Sequence, residues 1–438
     1  MSIPGGLVNI LPETSQVSPE DHLVIGGCDL VQLAREYGTP LYLFDEGTLR
    51  RRCREFVGEF TSRYANTQVL YASKAYSNPA LVKLFQEEGL GLDVVSAGEL
   101  MIARAAGFPL ERAYFHGNNK TPQELELALS HGIGRIVVDS FYELDLLEGI
   151  AASQGKTVQI LLRLSPGIDP HTHAKTTTGI IDSKFGFPIA TGQAEEAVWT
   201  AQKLPHLDLV GLHCHLGSPI FEVEPYAQAL EVLLEFVYYV ETMYAFQLKE
   251  LSPGGGFAIQ YVPEIPPPRV SEYAEVITSN IKNWLGAREA PRLLIEPGRS
   301  IVGRAGVALY TVGASKEVPG IRKFVSLDGG MGDNIRPVIY GSRYVAVVAN
   351  RVSAPEEEKV TLAGKYCESG DLLIENITLP RLRAGDLVAI PASGAYCLSM
   401  ASNYNASLRP PIVMLKEGKA RVIRRRETFE DLMRCDVW

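Results

Sequence analysis

Residues 69–96 read VLYASKAYSNPALVKLFQEEGLGLDVVS: a short apolar run, a longer helical stretch and a second short apolar run. The same alternation continues from about residue 41 to residue 300. Eight apolar, β-branched runs favour strands in this range, at 69–73, 92–95, 113–116, 135–139, 158–164, 209–215, 248–251 and 293–296. Eight strands that alternate with helices predict a parallel (β/α)8 barrel of the TIM type.

The segments between these runs carry helix signals. Thr121, Pro122 and Glu124 form a capping box with proline at the first helical position. Residues 225–246 make a long amphipathic stretch. Both features indicate helices that connect the strands of a barrel, which we place at residues 41–300.

The pattern changes after residue 301. Strand-like runs at 344–348, 359–362, 387–390 and 420–424 are separated by turn signals such as residues 384–386. The first 40 residues add a strand-like piece at 22–25. We therefore predict an α/β plus all-β chain, in which residues 1–40 and 301–438 form one antiparallel β domain.

Composition excludes several functional classes. A formal net charge of −9 argues against a nucleic-acid surface. The six cysteines form no C-x-x-C pair, which favours a reducing cytoplasm over a disulfide framework. No stretch has the length of an apolar membrane span, and no signal peptide is evident. We expect a cytoplasmic protein with neither a membrane nor a nucleic-acid partner.

Polar residues and glycines follow six of the predicted barrel strands. Barrel enzymes place their chemistry at the C-terminal ends of the strands, so these residues should converge on one pocket. In strand order they are Lys74; Asp93; His116; His213, His215 and Ser218; Gly254, Gly255 and Gly256; and Glu296, Pro297, Gly298 and Arg299.

Lys74 closes the first predicted strand. An amine that is partly desolvated in a barrel mouth is suited to Schiff-base chemistry. The alternative is a lysine that extends its amine to the surface, and the local sequence alone favours that alternative.

Three consecutive glycines follow the seventh strand. Without side chains, Gly254, Gly255 and Gly256 let backbone N–H groups approach an anion closely, and the last loops of a barrel often bind phosphate. Ser218 could add a hydroxyl donor. A flexible turn is an equally good explanation of the triplet taken alone.

Two more strand ends carry groups suited to a planar ring. Glu296 could pair with a protonated ring nitrogen, or form a structural ion pair with Arg299. His215 could lie flat on the ring, or be an ordinary core histidine. His213 and His215 share one face of a strand and could bind a metal. No carboxylate ligand stands out nearby, so we expect no metal.

Together these groups supply an amine, a phosphate cradle, a stacking group and a partner for a ring nitrogen. Pyridoxal phosphate requires this combination. The sequence therefore predicts a pyridoxal-phosphate enzyme with Lys74 as the cofactor lysine.

Several strings extend the match to a known family. They lie at 71–74, 92–100, 115–120, 169–173, 183–186, 213–218, 254–256 and 296–299, and at 335–337, 340–341, 367–371 and 394–396 in the β domain. With them the chain resembles the fold-type III pyridoxal-phosphate decarboxylases of the ornithine, diaminopimelate and arginine group, and the diaminopimelate branch in particular. The resemblance runs from about residue 38 to the C-terminus.

The resemblance implies a head-to-tail homodimer with active sites shared between subunits. It makes Lys74 the Schiff-base lysine and Cys367 the proton donor, which reaches the partner's active site. It assigns His215 to the ring face, Ser218 and the glycines to the phosphate, and Glu296 to the ring nitrogen. The substrate-binding positions are Arg299, Arg336, Tyr340, Glu368 and Tyr396, and Tyr396 also touches the cofactor.

The resemblance also implies a reaction, the decarboxylation of meso-2,6-diaminopimelate to L-lysine. One departure is visible, because Pro219 stands where the family usually has glutamine. The alternatives are a decarboxylase of ornithine, arginine or carboxynorspermidine, or a non-catalytic cofactor-binding relative. A barrel like that of alanine racemase would share the cofactor site, but it would not explain Cys367 and Glu368.

Overall fold

The computed structural model describes residue 3 and residues 5–170 and 176–438. The chain divides into two compact units. The barrel unit comprises residues 52–258 and 267–299, and the β unit comprises residues 1–51, 259–266 and 300–438.

Eight parallel strands close the barrel. Each pairs with the next in the chain, and the eighth pairs with the first, where Leu293 lies opposite Thr67. This confirms the predicted (β/α)8 barrel. In order, the barrel strands are Thr67–Ala72, Gly91–Val94, Ala113–Phe115, Arg135–Val138, Val158–Ser165, Leu207–His213, Glu250–Ser252 and Arg292–Ile295.

Helices follow most of these strands, and four of the helices begin directly after a capping side chain. The side chains of Asn78, Ser96, Thr121 and Ser140 each cap the N-terminus of a helix that begins at the next residue. The predicted capping box of Thr121 and Glu124 is present. The barrel helices are Glu46–Thr61, Pro79–Glu87, Ala97–Ala105, Pro122–Ser130, Phe141–Ser153, Gln193–Ala201, Glu224–Tyr244 and Val270–Leu285.

The β unit contains two sheets. The small sheet pairs Leu23–Ile25 with Gln16–Val17 and Cys28–Asp29. The large sheet runs in the order Leu372–Leu379, Glu358–Ala363, Arg322–Leu327, Gly306–Val318, Leu41–Asp45, Ile412–Lys416 and Lys419–Arg424. Leu387–Ile390 also pairs with Gly306–Val318, and Val347–Val348 pairs with Leu387–Ile390. Its short helices are Leu30–Tyr37, Arg299–Val302, Arg336–Tyr340 and Phe429–Met433.

The β unit is mostly antiparallel, which confirms the predicted antiparallel β domain, and two of its strand pairs are parallel. Glu358–Ala363 runs parallel to Arg322–Leu327, and Ile412–Lys416 runs parallel to Leu41–Asp45. Leu41–Asp45 can lie inside this sheet because all five of its residues are buried. Its side chains pack in the same core as Leu309 and Val413.

None of the helices in the described part of the chain combines the length and apolar character that a membrane crossing requires.

Candidate active site

Lys74 lies at the mouth of the barrel. It occupies a single 3-10 turn, Ser73–Ala75, directly after the first barrel strand. Its Nζ is 3.8 Å from Oδ2 of Asp93, and 37% of its side chain is exposed. The amine is therefore accessible and has a carboxylate beside it.

Asp93 is fully buried at the end of the second barrel strand. Neither of its carboxylate oxygens has a hydrogen-bond partner among the described residues. Burial raises its pKa to about 7, although Lys74 acts in the opposite direction. A buried carboxyl group without hydrogen bonds is costly, so Asp93 is suited to meet a polar group of a ligand.

Glu296 follows the eighth barrel strand and is held by two neighbours. Ser252 Oγ donates a hydrogen bond of 2.7 Å to Oε1, and His213 Nε2 lies 3.2 Å from Oε2. Burial alone would raise the pKa of Glu296, but His213 and these hydrogen bonds hold it well below its usual range. The site thus contains an ionised, fixed carboxylate that can accept an N–H.

His116 lies between the two carboxylates. Its Nε2 is 3.8 Å from Asp93 Oδ1 and 3.8 Å from Glu296 Oε1, and it has no hydrogen-bond partner in the described part of the chain. Burial lowers its pKa well below the usual value, so the ring is neutral. It meets the His213 ring edge to face at 4.8 Å.

His213 and His215, which the sequence offered as a possible metal-binding pair, do not point to one position. Among the residues that the structure describes, the side chains close enough to share an ion are His116, His213 and Glu296, whose ligand atoms lie within 4.8 Å of one another. His215 points elsewhere, because its Nδ1 accepts the N–H of Gly255 at 3.2 Å. The hydrogen bond between His213 and Glu296 accounts for the position of this pair.

The glycine loop cannot carry side chains. A Cβ on Gly255 would lie 2.1 Å from the carbonyl oxygen of Glu296. Gly254 and Gly256 have φ values of +81° and +103°, and Cβ atoms there would overlap the carbonyl oxygens of Cys214 and Gly217. The loop therefore packs with bare backbone against the ends of the sixth and eighth strands.

Ser218 and Arg299 meet beside this loop. Arg299 Nε donates a 3.1 Å hydrogen bond to Ser218 Oγ, and Arg299 is buried. A hydroxyl and a guanidinium next to a glycine loop form a surface suited to a phosphate group.

The segment between Glu296 and Arg299 docks on the first barrel strand. The carbonyl oxygen of Pro297 accepts the N–H of Ala72 at 3.2 Å. A Cβ on Gly298 would lie 3.0 Å from the Ala72 Cβ. This close fit places the Lys74 turn and the Glu296 carboxylate at one end of the barrel.

Sequence reasoning missed Ser252 and Arg163 as contributors, and it gave His213 no role beside Glu296. Ser252 and His213 position Glu296, and Arg163 lies buried in the fifth barrel strand. The Arg163 guanidinium is 3.6 Å from Asp139 Oδ2 and stacks on the Phe185 ring at 4.3 Å. Its signal was available in the sequence, since Arg163 is the one charged residue in the mostly apolar run at 158–164.

The β unit contains the remaining predicted residues. Arg336 is buried at the start of its helix, donates a hydrogen bond to Tyr344 Oη, and lies over the Tyr261 ring at 4.8 Å. Its Nε has no partner among the described residues. Tyr340 ends the same helix.

Three further predicted residues of the β unit lie in loops. Cys367 and Glu368 are exposed, and Tyr396 is half-buried with a φ of +59°. His171 and His173, from the matched string at 169–173, fall outside the described residues.

The site fits pyridoxal phosphate. An accessible amine, an ionised carboxylate, a glycine loop that any Cβ would obstruct and the buried Asp93 oxygens, which accept no hydrogen bond from the described residues, lie at one end of one barrel. These groups can bind the aldehyde, the ring nitrogen and the phosphate of this cofactor.

Gly255→Ala tests the phosphate role of the loop. We expect a rise of about 10- to 100-fold in the dissociation constant for pyridoxal phosphate, because a 2.1 Å contact must displace the loop by about an ångström. Titration of the apoprotein with cofactor, followed by absorbance, measures this. Gly149→Ala is the matched control, since a Cβ there meets nothing within 4 Å. Unchanged affinity in Gly255→Ala would remove the loop from the cofactor site.

Comparison with known proteins gives a consistent picture. Residues 46–303 match the family model "Pyridoxal-dependent decarboxylase, pyridoxal binding domain". The chain is 47% identical to the diaminopimelate decarboxylase of Bacillus subtilis over 426 residues, 97% of each protein. It is 41% identical to that of Staphylococcus aureus, covering 97% of this chain and 100% of the relative.

Solved structures agree. The diaminopimelate decarboxylase of M. jannaschii, also solved in complex with L-lysine, superposes with a TM-score of 0.92 at 33% identity and covers 98% of both chains. A lysine/ornithine decarboxylase of Vibrio vulnificus, complexed with putrescine, gives a TM-score of 0.76 at 25% identity, covering 92% of this chain and 100% of the other.

Proposed function

The chain belongs to the diaminopimelate decarboxylase family of pyridoxal-dependent enzymes, and on this premise we propose that it converts meso-2,6-diaminopimelate to L-lysine and CO2, the last step of lysine biosynthesis. The single observation that carries the proposal is the barrel mouth, where the Lys74 amine lies 3.8 Å from the buried Asp93 carboxylate. The full-length similarity to diaminopimelate decarboxylases supports the choice of substrate.

We assign the residues that hold the cofactor by their chemistry. Lys74 Nζ would bind its aldehyde carbon, and Glu296 its ring nitrogen. His215 would cover the ring face, and Asp93 and His116 would line its buried side. Its phosphate would lie against Ser218, Arg299 and residues 254–256, and Pro297 and Gly298 would keep that end of the barrel in place. We also propose Tyr396 as a cofactor contact. Bound there, pyridoxal phosphate supplies an electron sink for the charge left when CO2 departs.

The protein's own part begins with Glu296. Its pKa is held low, so it is ionised at neutral pH and favours a protonated ring nitrogen. Ser252 and His213 keep the carboxylate in one orientation, and His116 is neutral because it is buried. The chain therefore places one negative charge where it stabilises a positive ring.

Cys367 is the proposed proton donor. Its thiol would deliver a proton to the carbon that has lost CO2, and Lys74 would release the product. We propose that the protein works as a homodimer in which Cys367 serves the site of the partner subunit. The exposure of Cys367 on the β unit supports this assignment, because an exposed thiol is accessible to another subunit.

Substrate selection follows from charge at both ends of the molecule. We propose that Arg336 and Arg299 bind the distal carboxylate and that Glu368 binds the distal ammonium, with Tyr340 and Tyr396 beside them. Arg336 suits this role because its Nε is buried without a partner among the described residues. Ornithine lacks the distal carboxylate and would leave Arg336 without a ligand.

We propose that the protein works in the cytoplasm. All six cysteines are free, as expected in a reducing cytoplasm.

A substrate comparison tests the proposed selectivity. With meso-diaminopimelate, ornithine, arginine and carboxynorspermidine, we expect the highest kcat/KM for meso-diaminopimelate. Arg336→Leu should raise its KM by about 10- to 100-fold, because a hydrogen bond to a charged group contributes about 1.5–3 kcal/mol. Arg343→Leu is the control, since Arg343 makes only an exposed ion pair with Glu264 at 3.5 Å. A higher kcat/KM for ornithine than for meso-diaminopimelate, in both the native protein and Arg336→Leu, would contradict the assignment.

A further inference from the structure

Asp371 closes the string Cys367-Glu368-Ser369-Gly370-Asp371, and the proposed chemistry leaves it without a role. It is buried, with 3% of its surface exposed. Its Oδ1 accepts the N–H of Met331 at 2.7 Å, and its Oδ2 accepts the N–H of Tyr366 at 2.9 Å. One carboxylate therefore joins two separate loops through both oxygens.

Each of these loops carries proposed active-site residues. The first contains Met331 and leads into the helix Arg336–Tyr340. The second contains Tyr366 and continues directly to Cys367. A further bond, from the N–H of Lys365 to the carbonyl oxygen of Gly329 at 3.0 Å, joins the same two loops.

Two glycines make the slot that Asp371 occupies. A Cβ on Gly364 would lie 2.0 Å from Asp371 Oδ2, and one on Gly330 would lie 2.5 Å from Oδ1. Such distances are far below van der Waals contact, so either side chain would displace the carboxylate. Gly370 lies in the same loop, but the atom nearest to a Cβ there, apart from the adjacent residues, would be Glu368 Oε1 at 3.8 Å.

The Cys367 thiol depends on its backbone for orientation. The residue is exposed, so packing of its side chain fixes little. Its N–H donates a 2.8 Å hydrogen bond to Asn405 Oδ1, and the preceding N–H is held by Asp371. These two bonds set where the thiol projects.

We propose that Asp371 is a positioning residue, which holds the Cys367 loop in register with the helix Arg336–Tyr340. The Cys367 thiol then projects from a backbone that is fixed against the rest of the β unit. The inference rests on the proposed function, in which Cys367 is the proton donor.

Asp371→Asn tests the inference in the complete holoenzyme. The amide keeps the shape but turns an N–H2 toward one backbone N–H. We expect kcat at saturating meso-diaminopimelate to fall about 10- to 100-fold, as for a misplacement of about an ångström, while cofactor absorbance is retained. In a Cys367→Ala background, the same change should alter kcat by less than about threefold, because the group it positions is already absent.

Gly364→Ala disturbs the Asp371 carboxylate without changing Asp371 itself. It should reproduce the fall in kcat, and Gly370→Ala should leave kcat unchanged. If Asp371→Asn does not accumulate as folded protein, Gly364→Ala with Gly370→Ala carries the test.

These outcomes distinguish the proposed proton donation by Cys367 from the proposed positioning role of Asp371. An unchanged kcat in Cys367→Ala would overturn the proposed proton donor. A slow Cys367→Ala to which Asp371→Asn adds its full effect would leave the donor in place and overturn the positioning role of Asp371. Equal kcat in Gly364→Ala and Gly370→Ala would overturn it as well.

Discussion

Replacing Lys74 by alanine is expected to lower kcat by about 10²- to 10⁴-fold, the range associated with loss of a positioned proton-transfer group. The variant should also lose the absorbance of cofactor bound through this amine. Lys74 Nζ is the amine that lies at the barrel mouth beside Asp93. Single-turnover decarboxylation and an absorbance spectrum of the purified variant measure the two effects.

Lys83→Ala is the matched control for Lys74→Ala. Lys83 is exposed on the helix Pro79–Glu87, close in sequence but away from the strand end. It should keep both the spectrum and the rate. A Lys74→Ala protein with the spectrum and turnover of the native chain would refute the assignment of the cofactor lysine.

Glu296→Gln is expected to lower kcat by about 10²- to 10³-fold, the usual cost of removing one fixed electrostatic partner from an active site. The substitution keeps the size of the side chain but removes the charge that favours a protonated ring nitrogen. Ser252 would still donate its hydrogen bond, so the fold should persist. Steady-state kinetics on variant saturated with cofactor, together with its thermal midpoint, separate charge from stability.

Glu250→Gln provides the comparison for Glu296→Gln. Glu250 is also a buried barrel carboxylate, but it begins the seventh strand and pairs with Arg135 at 2.9 Å. Its replacement should lower stability and leave kcat of the folded fraction intact. Equal losses of kcat in the two variants would show that Glu296 acts only through the stability of the barrel.

Much of the barrel could be predicted because its strands are short, buried and separated by capped helices. All eight predicted runs overlap observed strands. Leu41–Asp45 was not distinguished from the barrel, since a five-residue buried strand looks the same in either sheet. Its neighbours come from residues 306–318 and 412–416, which only the folded chain brings together.

The candidate site was predictable only through strand order. Lys74 on its own was better explained as a surface lysine, and its position at the end of the first of eight strands changed that interpretation. The hydrogen bond from Ser252 to Glu296 could not be predicted, because it joins side chains 44 positions apart whose orientations depend on register. The roles of Cys367 and Glu368 came from family resemblance and stay proposals.

The most direct measurement is product analysis of the holoenzyme given meso-diaminopimelate in ²H2O. The account predicts equal amounts of CO2 and L-lysine, with one deuterium on the carbon that lost the carboxylate, because an exchangeable thiol proton is delivered there. Absence of lysine and CO2 from protein fully loaded with pyridoxal phosphate would contradict it.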